Sequence, residues 1–303
     1  MLGKLSTVRG ASWFQGHSWD WAPKHIMSYT LGSKSRMNWL ASRLASLTTF
    51  YILSDIFDTI NHSRKWSPFD QHPVTMLPIP QQLLFSLSVC VCTLLGIVVP
   101  VTIYSVIFVG LGSSPSTWAP MFDHPFAATS LEDFWTRRWH HIFRRVFDRM
   151  VLPFMLLMPK TTPTAVRRTV RAAIIFGFSA CFHLILVERM LTTPKNASSF
   201  GKSVEGGEVP RPVWAFIDSS TLRFFLFQPI GLFIERVILT AVANLLPGSA
   251  RVFIHRLWAW GWLLWTGRFW ADAWAKGGMW AEDEGHVGWS PVRGILFGQW
   301  WTV

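Results

Sequence analysis

One uncharged apolar stretch, residues 83–111, constrains the fold of this chain more than any other feature. A helix that crosses a bilayer needs about 20 apolar residues, and this stretch exceeds that length. Because lipid offers the backbone no hydrogen-bond partners, such a segment must satisfy its own amides and carbonyls as a helix. Pro100 lies inside the stretch, where we expect a kink rather than a break.

Further candidate spans follow the same logic and predict an all-α, multi-pass transmembrane helical bundle. The clearest is residues 172–191, and the others are residues 39–60, 222–246 and 253–274. The first of these, 39–60, is the weakest, because it carries Arg43, Asp55 and Asp58. No internal repeat or boundary divides the chain, so we expect one membrane domain over residues 1–303.

Composition supports membrane insertion and excludes a nucleic-acid-binding protein. Half of the 303 residues are hydrophobic and 15% are charged, against about 25% in ordinary soluble domains. Much of the net charge of +11 falls in one basic stretch, with Arg137, Arg138, Arg144, Arg145, Arg149, Lys160, Arg167, Arg168 and Arg171 against the single acid Asp148. Flanked by apolar segments, this stretch is typical of a cytosolic juxtamembrane region.

His183 is the first candidate for chemistry, because it lies in the candidate span 172–191. Ionisable residues at this depth are functional candidates by default. Apolar surroundings disfavour the charged imidazolium, and a neutral imidazole is what a general base needs. The alternative is a histidine that only hydrogen-bonds to a neighbouring helix. Cys181 lies two residues away, would project to a different side of the helix, and is not expected to carry an acyl group.

The second candidate is the segment from Ser130 to His141. Ser130 and Asp133 predict a helix start, with Ser130 as the N-cap. Arg137 and Arg138 follow one turn later, and guanidinium groups suit phosphate recognition. By residue chemistry alone, an interfacial helix whose arginines meet lipid phosphates is favoured over a phosphate site. Adjacent His140 and His141 point about 100° apart on a helix and predict no metal site.

Together the two segments resemble the wax synthase-like branch of the membrane-bound O-acyltransferases, especially its fungal members found beside terpenoid and polyketide biosynthesis genes. The resemblance rests on Phe134-Trp-Thr-Arg-Arg-Trp-His140 and on Ser179-Ala-Cys-Phe-His183, 43 residues further on. Arg9-Gly10 and Trp19-Asp-Trp21 resemble two upstream elements of that branch. Ala180 stands where the branch has glycine, a small-for-small change.

The resemblance implies an enzyme with a tunnel through the membrane, which acyl-CoA enters from the cytosol and a lipophilic alcohol from the lipid. It implies catalysis by His183, with His140 positioning the reacting groups. It implies that Arg137, Arg138 and Trp139 contact the CoA or hold the loop, and that Trp135 lies near the CoA. It implies no metal and no permanently bound cofactor. Members of this branch carry further hydrophobic segments before the first element, so this chain is either a short member or lacks N-terminal helices.

Several alternatives stay open at this point. The acyl group is acetyl, with acetyl-CoA as donor, or a long chain as in wax esters. A non-enzymatic transporter would line a polar path with His183, Glu235 and Arg236, which need partners or the protein interior. A haem protein would need His183 to face His255. Asn196-Ala-Ser198 matches a glycosylation sequon, which with a cytosolic basic stretch fits the endoplasmic reticulum. The oligomeric state is not predicted.

Overall fold

A computed structural model describes residues 35–301 except for several gaps, which are residues 65, 67–71, 116–117, 119, 140–143, 192–216, 244, 278–279 and 281–286. Four predicted features lie outside the described residues: Arg9-Gly10, Trp19–Trp21, the Asn196 sequon and His140.

The described part of the chain is helical, which confirms the predicted class. Its α-helical segments are α1 (Arg36–Asn61), α2 (Ile79–Gly110), α3 (Leu131–Asp133), α4 (Arg144–Leu156), α5 (Thr164–Leu191), α6 (Ser219–Ile234), α7 (Thr240–Ala243), α8 (Gly248–Lys276) and α9 (Pro291–Phe297). Two π-helical turns, Phe134–Arg138 and Glu235–Leu239, continue α3 and join α6 to α7. Extended pairing in these residues is limited to one bridge between Trp289 and Trp301.

Three of the described helices are long and apolar enough to cross a membrane: α2, residues 164–187 of α5, and residues 219–242 from α6 into α7. They coincide with three predicted spans, and α2 continues through Pro100 without a break. Helices α1 and α8 form where the other two spans were predicted, but they are not apolar enough to count among the candidates. Charged side chains lower their hydropathy, among them Asp55 in α1 and Asp272 in α8.

Buried hydrogen bonds and ion pairs explain how α1 and α8 accommodate these charges. Asp55 is fully buried and accepts hydrogen bonds from the Ser290 hydroxyl and the Val292 amide at the start of α9. Asp58 pairs with Arg293 at 3.0 Å. The acids that make residues 39–60 a weak span are therefore paired with the last described helix, because buried charges need such partners.

Asp272 joins three elements at one end of the bundle. Its carboxylate is fully buried and accepts from the Val74 amide at 2.9 Å, the Thr75 amide at 3.1 Å and the Ser220 hydroxyl at 2.8 Å. Lys276 lies 3.5 Å from the same carboxylate and 2.9 Å from Asp218, the N-cap of α6. The loop before α2, the start of α6 and the end of α8 are thus fixed together.

The bundle packs α5 against α6, and α8 against both α2 and α6. Helices α2 and α8 approach closely at Gly267, where a Cβ atom would lie 2.3 Å from the Ser86 hydroxyl. A larger residue at position 267 would require the Ser86 hydroxyl to move. The next contacts show that the two helices run antiparallel, since Gln82, before Ser86, meets Arg268, and Thr75, earlier still, meets Asp272.

Candidate active site

The segment from Ser130 to Trp139 begins with the predicted helix cap. The Ser130 hydroxyl accepts from the Asp133 amide at 2.9 Å, which confirms this N-cap. The Asp133 side chain reaches the Thr129 amide at 3.1 Å rather than that of Ser130. One α-helical turn is followed by the π-helical turn, and the helical segment ends at Trp139. Arg137 and Arg138 therefore lie on a short helical element.

Glu235 and Arg236 attach this segment to the transmembrane helices. The Glu235 carboxylate is buried and accepts from the amides of Leu131 and Glu132, each at 2.8 Å. Arg236 donates two hydrogen bonds to the Glu132 carboxylate, at 3.1 and 3.2 Å. His255 of α8 lies 3.6 Å from Glu235. Glu235 and Arg236 were expected to need partners, and they find them at the start of α3.

Arg138 clamps the segment onto the preceding chain. Its Nε atom donates to Asp133 at 2.6 Å, and its Nη1 atom donates to the carbonyl oxygens of Asp123 and His124, both at 3.2 Å. Burial alone would raise the pKa of Asp133, but the hydrogen bonds from Arg138 and Thr129 and the nearby arginine charges outweigh burial and lower it. The pair therefore stabilises the fold at neutral pH, and this contribution is lost as the pH falls through the lowered pKa.

Trp135 is held by a chain of hydrogen bonds across the bundle. Its indole Nε1 donates to Gln228 of α6 at 3.2 Å, and Gln228 donates to Thr266 of α8 at 3.0 Å. The edge of the Trp135 ring packs on Phe176 of α5, with ring centroids 5.1 Å apart. Trp139 stacks on Phe134 at 5.3 Å. The aromatic residues of the motif therefore form a wall beside α5.

His183 lies in α5 with its tautomer fixed by its own helix. Its Nδ1 atom is 2.7 Å from the carbonyl oxygen of Ser179, one turn earlier. Since a carbonyl oxygen can only accept, Nδ1 carries the hydrogen in the neutral ring and Nε2 keeps its lone pair. The imidazole stacks on Phe225 at 4.5 Å and meets the edge of Trp270 at 5.2 Å. This arrangement suits a base with one available nitrogen.

A cavity of about 1650 Å³ brings His183 and the motif residues together. One face of α5 lines it at helical spacing, with Arg168, Arg171, Ile175, Ser179 and His183. Trp135 and Trp139 lie on the same cavity, whereas Arg137 and Arg138 do not line it. The cavity thus brings together four residues of the two sequence motifs, namely His183, Ser179, Trp135 and Trp139.

The basic end of the cavity contains arginines that the sequence analysis did not single out as ligand residues. Arg168 and Arg236 line it, and Arg171 pairs there with Asp148. Arg171 and His183 are twelve residues apart, which is about 18 Å along a helix. For Arg168 and Arg171 the sequence signal was the helical spacing 168, 171, 175, 179, 183, which places both on the same face of α5 as the histidine.

Among the described residues, no group of three or more His, Cys, Asp or Glu side chains is placed to hold a metal ion. The ring partners of His183 are aromatic, and His255 lies beside Glu235. The described geometry therefore gives the two histidines different neighbours rather than a shared ligand.

The two motif arginines should differ in their effect on stability. Arg138→Ala removes three hydrogen bonds and leaves the buried Asp133 without its partly buried partner, so we expect a loss of about 1.5–3 kcal/mol in the free energy of unfolding. Arg137 also contacts Asp133, at 2.9 Å, but its side chain is 69% exposed, and Arg137→Ala should cost less than about 1 kcal/mol. Thermal denaturation in detergent compares them. Equal losses in both variants would contradict the clamp assigned to Arg138.

Comparison with known proteins bears on this site directly. Residues 118–201 match the sequence profile described as "Membrane bound O-acyl transferase family", and this range contains both the motif segment and His183. No solved structure matches the chain.

Curated relatives are named as acetyltransferases. Acetyltransferase ataH of Aspergillus terreus is 31% identical over 44% of this chain and 37% of its own length. Acetyltransferase eriL of Hericium erinaceus is 28% identical over 66% of this chain and 47% of its own length. Acetyltransferase ple2 of Rhodocybe pseudopiperita is 25% identical over 46% of this chain and 38% of its own length. The chain spans less than half of each relative. These matches confirm the resemblance seen in the sequence: the chain is similar to fungal acetyltransferases and, over residues 118–201, to the membrane-bound O-acyltransferase family.

Proposed function

We propose that this protein is a membrane O-acyltransferase that moves an acyl group, acetyl in our account, from acyl-CoA to a hydroxyl of a lipophilic acceptor. The observation that carries the proposal is His183, whose Nδ1 atom is engaged by Ser179 while the residue lines the large cavity. The names of the three acetyltransferase relatives support acetyl as the acyl group. Long-chain transfer is the alternative donor chemistry. A terpenoid or polyketide alcohol is our proposed acceptor.

In the proposed reaction both substrates occupy the cavity together. Nε2 of His183 takes the proton of the acceptor hydroxyl, and the oxygen attacks the thioester carbonyl carbon. The C–S bond of the tetrahedral intermediate then breaks. The imidazolium returns its proton to the departing thiolate, which leaves an ester, coenzyme A and neutral His183. His140 remains our candidate for a second polar group that orients the thioester.

The basic end of the cavity supports a binding site for the CoA phosphates. Arg168 lines this end, and a guanidinium group binds phosphate with paired donors. Arg236 lines it too, although its Nε and Nη2 atoms are engaged by Glu132. The pantetheine arm would then run along α5 towards His183. We place Trp135 and Trp139 beside this arm. Arg138 acts here as a positioning residue because its donors are engaged by Asp133 and two carbonyl groups. Exposed Arg137 stays a candidate for a phosphate contact.

The transporter alternative is less well supported. Glu235 is engaged by two backbone amides and Arg236 by Glu132. Both side chains therefore have a structural role, which is to hold the start of α3. Of the three residues proposed for a polar path, only His183 and Arg236 line the cavity.

Loss of the base should abolish ester formation while the fold persists. In microsomes with labelled acetyl-CoA and a panel of terpenoid and polyketide alcohols, we expect His183→Ala to lower the rate by about 10²–10⁴-fold, the usual contribution of general-base catalysis. Cys181→Ala is the matched control, since Cys181 lies on the same helix with its side chain exposed. A rate unchanged in His183→Ala, or abolished in Cys181→Ala, would overturn the assignment of the base.

A second pair of variants tests the donor site. Arg168→Ala should raise the Michaelis constant for acyl-CoA about tenfold through loss of a charged phosphate contact. The Michaelis constant for the alcohol should not change. Arg149→Ala is the control, because Arg149 belongs to the same basic stretch and is exposed but does not line the cavity. An equal rise in both variants would indicate general attraction of CoA by the basic stretch instead of a site at Arg168.

A further inference from the structure

Two arginines of α5 at the basic end of the cavity differ in their partners. Arg168 and Arg171 are three residues apart, which makes them neighbours on one face of the helix, and both line the cavity. Arg171 is paired with Asp148 of α4, whereas Arg168 is exposed and pairs with no acid among the described residues. One guanidinium group is therefore open to a ligand, and the other is already occupied by a carboxylate of the protein.

The pair between Arg171 and Asp148 can open at little cost. Their side chains are 42% and 41% exposed, and both line the cavity. An ion pair with this much exposure contributes little to stability, because water solvates both charges when they separate. The guanidinium fork that binds a carboxylate also matches a phosphate group. A phosphate in the cavity can therefore take the place of Asp148 on Arg171.

Helix α4 stays attached to α5 when this exchange occurs. Arg167 donates a hydrogen bond to the carbonyl oxygen of Met155 at 3.1 Å. Phe154 packs against Phe178, with ring centroids 5.9 Å apart. Neither contact involves Asp148 or Arg171. The exchange thus needs only side-chain movement, and Asp148 remains beside the basic end whether or not it holds Arg171.

The distance of Arg171 from the reacting centre gives this competition a consequence for turnover. Arg171 and His183 are about 18 Å apart along α5. A phosphate contact at that distance has the same strength in the substrate, the transition state and the product. Such a contact tightens the binding of donor and released CoA alike and does not raise kcat. An acid that competes for one of the two arginines weakens this binding and favours release of the product.

We propose that Asp148 sets the affinity for acyl-CoA and CoA by competing with their phosphates for Arg171. In the empty cavity the guanidinium group of Arg171 is held by Asp148. When CoA binds, the guanidinium group turns to a phosphate and the carboxylate is left in water. This inference rests on the proposed acyltransferase function and adds control of its donor affinity.

A double-mutant cycle tests the competition directly. Equilibrium binding of labelled CoA is measured on the purified full chain in detergent. Asp148→Asn should lower the Kd for CoA about two- to fivefold, the size expected for an exposed ion pair. Arg171→Gln should raise the Kd in both backgrounds, and by a factor about two to five times larger in the Asp148→Asn background than in the unsubstituted protein. Direct repulsion between Asp148 and the phosphates cancels in this comparison.

Asp123→Asn is the control for loss of an acid. The Asp123 side chain is 58% exposed and does not line the cavity, so its variant should keep the Kd unchanged. A Kd that fails to fall in Asp148→Asn, or that falls equally in Asp123→Asn, would overturn the inference.

The cycle has two further outcomes that contradict the competition. Equal effects of Arg171→Gln in the two backgrounds would show that the pair does not exchange. A larger effect in the unsubstituted protein would show that Asp148 orients Arg171 towards the phosphate. In both cases CoA still binds, so the inference fails while the proposed function stands. Absence of saturable CoA binding to the unsubstituted protein would overturn the proposed function, and the inference with it.

Discussion

The buried Glu235 carboxylate, bonded to the amides of Leu131 and Glu132, is the interaction on which the candidate site depends. A carboxylate at the first amides of a helix satisfies donors that would otherwise be unpaired. Glu235 begins the π-helical turn that follows α6, and Arg236, the next residue, pairs with Glu132. Two adjacent residues thus attach the motif segment to the membrane helices at a defined height.

The other contacts of the segment extend from this attachment. Arg138 fixes its end to the carbonyl groups of Asp123 and His124, and Trp135 reaches Gln228 on α6. Since α6 also packs against α5, the height of the segment sets its position relative to His183. The residues 134–139 suggest a ligand site by their arginines and tryptophans. In this structure they serve largely as a scaffold that forms one wall of the cavity.

Helices that form from long apolar stretches were predictable from the sequence. The uncharged run 83–111, the histidine in its apolar helix and the Ser130 cap were all predictable from local chemistry, and each is found close to its predicted place. Long-range pairing was not predictable. Nothing in the sequence shows that Asp58 meets Arg293, or that Glu235 caps a helix more than 100 residues earlier in the chain. For the same reason the two motif arginines could not be told apart: Arg138 is clamped by carbonyl groups that lie 14 and 15 residues before it.

Direct transfer between two substrates bound together is the central claim, and initial-rate kinetics tests it most directly. Rates of ester formation are measured over a matrix of acetyl-CoA and alcohol concentrations, and the protein is checked for label after incubation with labelled acetyl-CoA alone. With His183 as a base and no covalent intermediate, double-reciprocal plots should intersect and the protein should stay unlabelled. Parallel lines together with labelled protein would show a covalent acyl-enzyme and contradict the account.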